Sequence, residues 1–284
     1  MAHGSCLCGS VTWKIDAPLS DVFTCHCSMC RKSHGTAYAA FAMAPGGAVH
    51  ITSGADDIVP YAATARAPRP FCRTCGSRVP PATHDTPRVS VLLGPLLDAD
   101  GELPLRAHCF VASKAPWYEI TDKAQQLDAW PPGYDLPVTP GRDRPTASDA
   151  RIRGSCLCGA VEYRLSTPPA TMRHCHCTRC RRARGAPHAT NAIANVTDFA
   201  FTRGEDRLGA HRASGAKYFA QVFCTTCGSP APRVDASRGI VVIPAGSFDD
   251  DPIVRPVAHI FVESKASWLE ICDGLPQYAA GIPG

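Results

Sequence analysis

Apolar residues along this chain come in short runs, several of them alternating with polar ones. Val11-Thr12-Trp13-Lys14-Ile15 and Ala160-Val161-Glu162-Tyr163-Arg164-Leu165 repeat every second position, the period of a strand with one covered face. Val89-Ser90-Val91-Leu92-Leu93 and Ile240-Val241-Val242-Ile243 are rich in β-branched residues and bounded by Gly, Pro or Asp, which also predicts strands. Helix is expected only in the turn after each Cys-x-Cys-x-x-Cys run. Pro (26) and Gly (23) are plentiful while aromatics make up 7%, a mixture that favours short strands joined by many turns. The pattern therefore predicts a mainly β fold.

The same words occur twice, in the same order. Gly4-Ser5-Cys6-Leu7-Cys8-Gly9 returns as Gly154-Ser155-Cys156-Leu157-Cys158-Gly159, and Cys25-His26-Cys27-x-x-Cys30-Arg31 as Cys175-His176-Cys177-x-x-Cys180-Arg181. Phe71-Cys72-x-Thr74-Cys75-Gly76-Ser77 returns as Phe223-Cys224-x-Thr226-Cys227-Gly228-Ser229. His108-x-Phe110-Val111-x-Ser113-Lys114-Ala115-x-Trp117 returns as His259-x-Phe261-Val262-x-Ser264-Lys265-Ala266-x-Trp268, so the offset stays near 150 throughout. A repeat of this order marks a tandem duplication. Residues 133–150, rich in Pro, Asp, Arg, Thr and Ser and without apolar periodicity, predict a linker between domains at 1–132 and 151–284.

Sixteen cysteines in 284 residues change the picture more than any other count. The N-terminus shows no basic segment followed by an apolar one, and no run approaches the ~18 apolar residues of a membrane span. A cytoplasmic location with no membrane partner is thus expected, and cysteines held reduced there at short fixed spacings point to metal rather than disulfides. The net charge of +4 is mild and its only cluster is Arg179, Arg181, Arg182 and Arg184, which gives a nucleic-acid partner little support. Cys109 and Cys272 fall outside the repeat and read as small buried apolar residues.

Spacing divides the remaining seven cysteines of each copy. Cys25, Cys27 and Cys30 (Cys175, Cys177 and Cys180 in the second copy) can reach one ion together. Cys6, Cys8, Cys72 and Cys75 (Cys156, Cys158, Cys224 and Cys227) then form a complete four-sulfur set joining the two ends of each domain, as a structural zinc does. The expected cofactor is Zn2+, about two ions per domain and about four per chain. The three-cysteine set is one ligand short, and an open position is what separates a catalytic zinc from a structural one. The competing reading closes it with a nearby histidine or with a side chain distant in sequence. His26 and His176 sit between ligands, where an extended backbone turns successive side chains apart, and His108 and His259 lie in strand-like surroundings where a core role is commoner.

Together these motifs resemble the glutathione-dependent formaldehyde-activating (GFA) family, also called the centromere protein V family, over nearly the whole of each half. The resemblance implies two tandem domains of the β-tent kind, a structural zinc on the outer cysteine pairs and a catalytic zinc on the central three. It also implies carbon–sulfur lyase chemistry of the S-hydroxymethylglutathione synthase type, with a small thiol and a carbonyl-type partner as substrates. Arg31 and Arg181 could hold an anionic group of such a substrate by bidentate hydrogen bonding. Lys114, Lys265, Trp117 and Trp268 read better as capping and packing groups. The segments Ala37 to Pro45 and Pro187 to Val196 are expected to line the sites and differ between copies, so the halves can differ in duty. The alternative is a non-catalytic zinc-binding module for protein or nucleic acid, against which the modest charge and the lack of basic, aromatic-interleaved stripes weigh.

Overall fold

The computed structural model describes residues 1–64, 67–81, 87–98, 103–132 and 151–283. The expected linker, 133–150, lies outside the described residues. The fold is mainly β, in two tent-like halves that each carry a small sheet and a larger one. In the first half the small sheet runs in the order Leu96–Asp98, Ala2–Ser5, Thr12–Ile15, Val49–Ser53. The larger runs Arg88–Leu92, Ala39–Pro45, Ser20–Cys25, Leu105–Cys109, Gln125–Leu127. The second half repeats this plan, with Ile152–Ser155, Glu162–Leu165 and Phe199–Arg203 in the small sheet. Its larger sheet follows the order Arg233–Asp235, Ile240–Pro244, Ala189–Asn195, Thr171–Cys175, Pro256–Ile260, Gln277–Tyr278.

Alternation in the sequence becomes burial in the sheet. Trp13 and Ile15 are covered while Lys14 between them is exposed, and Tyr163 and Leu165 are covered while Arg164 is exposed. Val89, Val91 and Leu93 complete the first core, and Val241 and Ile243 the second.

Each half holds one α-helix, α1 (Ser28–His34) and α2 (Thr178–Arg184). Contrary to expectation they begin within the Cys-x-Cys-x-x-Cys run rather than after it, and several short 3-10 turns accompany them. Seven residues are too few to nucleate a helix alone. The motif supplies the missing ends. The Cys27 sulfur accepts from the Cys30 N–H at 3.4 Å and Cys177 does the same for Cys180 at 3.4 Å. Gly35 and Gly185, both at φ 62°, close the other ends in the left-handed conformation.

The halves interlock reciprocally. Lys32 on α1 donates to the Ser155 carbonyl at 2.9 Å and its hydroxyl at 2.7 Å, and pairs with Asp249 at 2.6 Å. At the equivalent place on α2, Arg182 donates to the Ser5 hydroxyl at 2.8 Å and to the Cys6 carbonyl. A Cβ on Gly76 would stand 2.3 Å from the Phe223 ring, and one on Gly228 would stand 2.4 Å from the Phe71 ring. Both glycines also sit at positive φ (69° and 67°), so each knuckle turn is shaped to receive the other half's aromatic. Arg78, almost fully buried, donates across the seam to the Cys227 carbonyl at 2.8 Å. One apolar cluster joins Ala37, Tyr38 and Trp117 of the first half to Met172, Val241 and Ile243 of the second. The basic run on α2 is thus partly consumed: Arg182 crosses the seam, and Arg184 is buried with one donor on Asn191.

Candidate metal centres and the cavity between the halves

The fold gathers the fourteen repeat cysteines into four sets: Cys6, Cys8, Cys72 and Cys75; Cys156, Cys158, Cys224 and Cys227; Cys25, Cys27 and Cys30; Cys175, Cys177 and Cys180. Within them, close sulfur–sulfur separations run from 3.4 Å (Cys6–Cys8, Cys25–Cys27) through 3.7 Å (Cys8–Cys72) to 3.8 Å (Cys158–Cys224). A disulfide needs about 2.05 Å. Tetrahedral zinc with bonds of about 2.3 Å spaces its sulfurs by about 3.8 Å. Among the described residues no cysteine is in a disulfide. Each set therefore has the donor chemistry and the spacing of a thiolate metal site. Crowding alone makes the thiols unequal. Hydrogen bonding with Cys72 pushes Cys6 up to about 11, while the same contact holds Cys72 well below the ordinary thiol range.

The four-sulfur sets start directly after the strands Ala2–Ser5 and Ile152–Ser155 of the small sheets, with three sulfurs buried and one, Cys8 or Cys158, half-buried. The central sets lie at the strand-to-helix junction, where Cys25 and Cys175 end their strands and Cys27 and Cys177 cap the helices. Among the described residues no fourth His, Cys, Asp or Glu joins either central set. Cys109 pairs in register with Cys25 on the neighbouring strand and is fully buried, yet its sulfur stays out of the set. Burial pushes its thiol up to about 12. Its reading as an apolar core residue fits that place. Cys272 does not fit the reading given to it: it is exposed, at the mouth of the cavity described below, in a stretch without regular structure whose faces alternation cannot predict.

Arg31 and Arg181 follow the central cysteines on the helices, and both have a buried Nε without a partner. Burial lowers the pKa of each, opposed by the nearby Cys27 or Cys177. Sequence reasoning missed Arg69, whose Nη2 donates to the Cys30 sulfur at 3.4 Å. Its counterpart by the Phe71–Phe223 alignment is Gln221, so this arginine contact to a ligand sulfur is not repeated at the equivalent position of the second half. Lys114 and Lys265 donate to the carbonyls of Tyr118 and Leu269 at 2.5 and 2.6 Å, and so cap local turns.

Strand alternation places the histidines on the face opposite Cys25 and Cys175. There a cavity of about 470 Å³ opens between the halves, lined by Tyr38, His108 and Asp122 from one and by His174, His259 and Asp273 from the other. Parallel pairing sets Thr24 beside His108 and His174 beside His259. His26 and His176 are fully buried, with Nε2 at 2.9 and 2.8 Å from Nδ1 of His108 and His259. Desolvation lowers both to about 3, so they are neutral. His108 and His259 in turn meet Asp122 at 3.0 Å and Asp273 at 2.9 Å.

The sequence profile described as "Glutathione-dependent formaldehyde-activating enzyme" matches this chain twice, over residues 1–113 and 151–264. The chain belongs to that family. Its GFA domain is present in tandem, one match in each half. The chain is also similar to a Halomonas elongata protein named "Putative glutathione-dependent formaldehyde-activating enzyme", 31% identical over 130 residues. That match covers 42% of this chain and 80% of the relative. A Rhodobacter sphaeroides protein of known crystal structure is 25% identical and covers 44% of this chain and 98% of that one. Its TM-score of 0.28 is too low to bear on the fold. Among the described residues no helix is long and apolar enough to cross a membrane.

Proposed function

We propose that this chain is a zinc-dependent carbon–sulfur lyase-type enzyme that makes or breaks the bond between a small, glutathione-like thiol and a carbonyl-type electrophile such as an aldehyde. The observation that carries this reading is the pair of three-sulfur sets that no fourth protein ligand joins among the described residues, each followed by a half-buried arginine whose Nε is buried without a partner. Cys6, Cys8, Cys72 and Cys75, with their second-copy equivalents, would hold structural zinc. Cys25, Cys27 and Cys30, with Cys175, Cys177 and Cys180, would hold zinc with a position open to substrate, about four ions per chain in all. Zinc held there supplies a Lewis acid and a site that favours the thiolate form of a thiol.

The protein's own part is binding and orientation. The unpartnered Nε–H of Arg31 or Arg181 offers a donor to a substrate carboxylate, and a guanidinium can present a second donor beside it. Fixing that end of a glutathione-like thiol aims its sulfur at the central set, and orientation of this kind supplies much of the rate gain in an addition step. Arg69 donates to Cys30 and offsets the negative charge that three thiolates concentrate in the first set. The domain limits 1–132 and 151–284 are proposed with this reading.

The test is a rate comparison at equal thiol concentration, because formaldehyde adds to thiols unaided. Zinc-loaded protein with glutathione and formaldehyde should form S-hydroxymethylglutathione faster than the background. Cys27→Ser and Cys177→Ser, measured separately, should show which half contributes. A rate equal to background across glutathione, cysteine and several aldehydes would refute the enzyme and leave the interaction module.

A further inference from the structure

The repeat changes at the cavity. Where the first half has Thr24 and Tyr38, the second has His174 and His188, while the acid and the strand histidine are kept in both as His108–Asp122 and His259–Asp273. The substitution is placed by register. His174 and His259 are opposite residues on adjacent parallel strands, so their side chains leave the same face of the sheet, and the rings stack with centroids 4.9 Å apart. One ligand atom each from His174, His259 and Asp273 lies within 4.8 Å of the other two. Thr24 occupies the equivalent of His174 in the first half, and no such group forms there among the described residues.

We propose that His174, His259 and Asp273 form a site for one divalent transition-metal ion, present in the second half only and separate from the cysteine sets. The donors are suitably disposed. Nδ1 of His174 is taken by the Thr190 hydroxyl at 2.9 Å, which fixes the ring and leaves Nε2 to ligate. Nδ1 of His259 faces Nε2 of His176 at 2.8 Å, and its Nε2 meets the Asp273 carboxylate at 2.9 Å. Asp273 is held in turn by the backbone N–H of Leu275 at 3.1 Å. Each ligand thus has a partner that orients it, the arrangement that accompanies metal-binding imidazoles and carboxylates. On binding, both rings change tautomer: His176 carries its proton on Nδ1, His259 carries its own on Nδ1 and donates it to Nε2 of His176, and Nε2 of His259 is freed for the ion with no net loss of protons.

Two imidazoles and a carboxylate suit zinc, cobalt, nickel or ferrous iron rather than magnesium or calcium. Three protein ligands leave positions facing the cavity, so a small oxygen or nitrogen ligand can reach the ion. The cysteine sets prefer softer surroundings and lie on the other face of the strand. A purely structural role for the histidines does not account for the asymmetry, since Thr24 satisfies His108 directly at 2.7 Å in the first half.

Cobalt(II) is the probe. Full-length protein is supplied with only four equivalents of zinc per chain, which the thiolate sets take in preference, and then titrated with Co2+, comparing wild type with His174→Thr and Asp273→Asn. His174→Thr restores the residue of the first half and Asp273→Asn is isosteric, so folding is checked by thermal melting of each. Wild type should take up one more Co2+ per chain than either variant. The difference spectrum should show ligand-field bands without sulfur-to-cobalt charge transfer. Affinity should fall by more than the ~100-fold that loss of a supporting contact costs. Equal uptake by wild type and both variants, or sulfur bands in the difference spectrum, would overturn the proposal.

Discussion

Lys32 offers a direct test of how firmly the halves are joined. Its ammonium, on a side chain 14% exposed, meets Asp249, 7% exposed, at 2.6 Å and also donates to both oxygens of Ser155. Lys32→Met keeps the length of the stem and removes the charge, leaving a carboxylate buried at the seam without its ammonium. Breaking a buried pair from one side costs about 3–5 kcal/mol. For a chain of this size each kcal/mol lowers Tm by roughly 2–4 °C, which predicts a fall of about 6–20 °C in calorimetry of zinc-loaded protein. Two controls separate the ion pair from lost packing. Lys32→Arg should retain most of the stability, because Arg182 makes the reciprocal crossing at the same place on α2. Lys32→Met combined with Asp249→Asn should recover part of the loss, giving a coupling energy of about 1 kcal/mol or more in a double-mutant cycle. A shift below about 1 °C for Lys32→Met, or coupling indistinguishable from zero, would refute the claim that this pair ties the halves.

The two kinds of cysteine set should respond differently to substitution. Cys224→Ser removes a ligand of the set that joins the ends of the second half and should abolish its cooperative melting, whereas Cys177→Ser should leave a folded half with less bound metal; equal damage to folding from both would contradict the division. Stability should also carry a signature of His34, whose Nδ1–H donates to the Arg184 carbonyl at 2.6 Å and which burial lowers to about 4. The unfolded chain binds that proton near pH 6.5 and the folded one only near 4, so the His34 contribution is present above about 6.5 and lost as pH falls toward 4. In denaturant titrations from pH 7 to 4, His34→Gln should lose stability less steeply than wild type, and parallel curves would count against the assignment.

The four cysteine sets were legible because their information is local. Cys-x-Cys, Cys-x-Cys-x-x-Cys and Cys-x-x-Cys place sulfurs within a few residues of one another, and two copies of the same spacing leave little freedom in grouping them. Strands such as Thr12–Ile15 and Ile240–Pro244 were legible for the same reason: burial alternates with the pleat. The cavity was not. His174 and His259 are distant in sequence and meet only through the register of two parallel strands, which no local pattern encodes. The change from Thr24 to His174 can be seen by aligning the copies, but it has no chemical meaning until the neighbour across the ladder is known. Arg69 escaped notice because its reach to Cys30 depends on a loop path and not on a repeat motif.

The reciprocal seam between the halves has an evolutionary consequence. Were the same faces brought together by two identical chains, any substitution near the axis would appear on both sides at once, and His174 would confront its own copy. With both faces encoded in one reading frame, position 174 can mutate while position 24 does not, so one side can specialise while the other keeps its own lining. The tether also raises the effective concentration of each face for the other. Dilution, which would separate a weak dimer, leaves this pairing intact, and a seam containing buried charges such as Lys32 and Asp249 can persist without being strong enough to assemble free subunits.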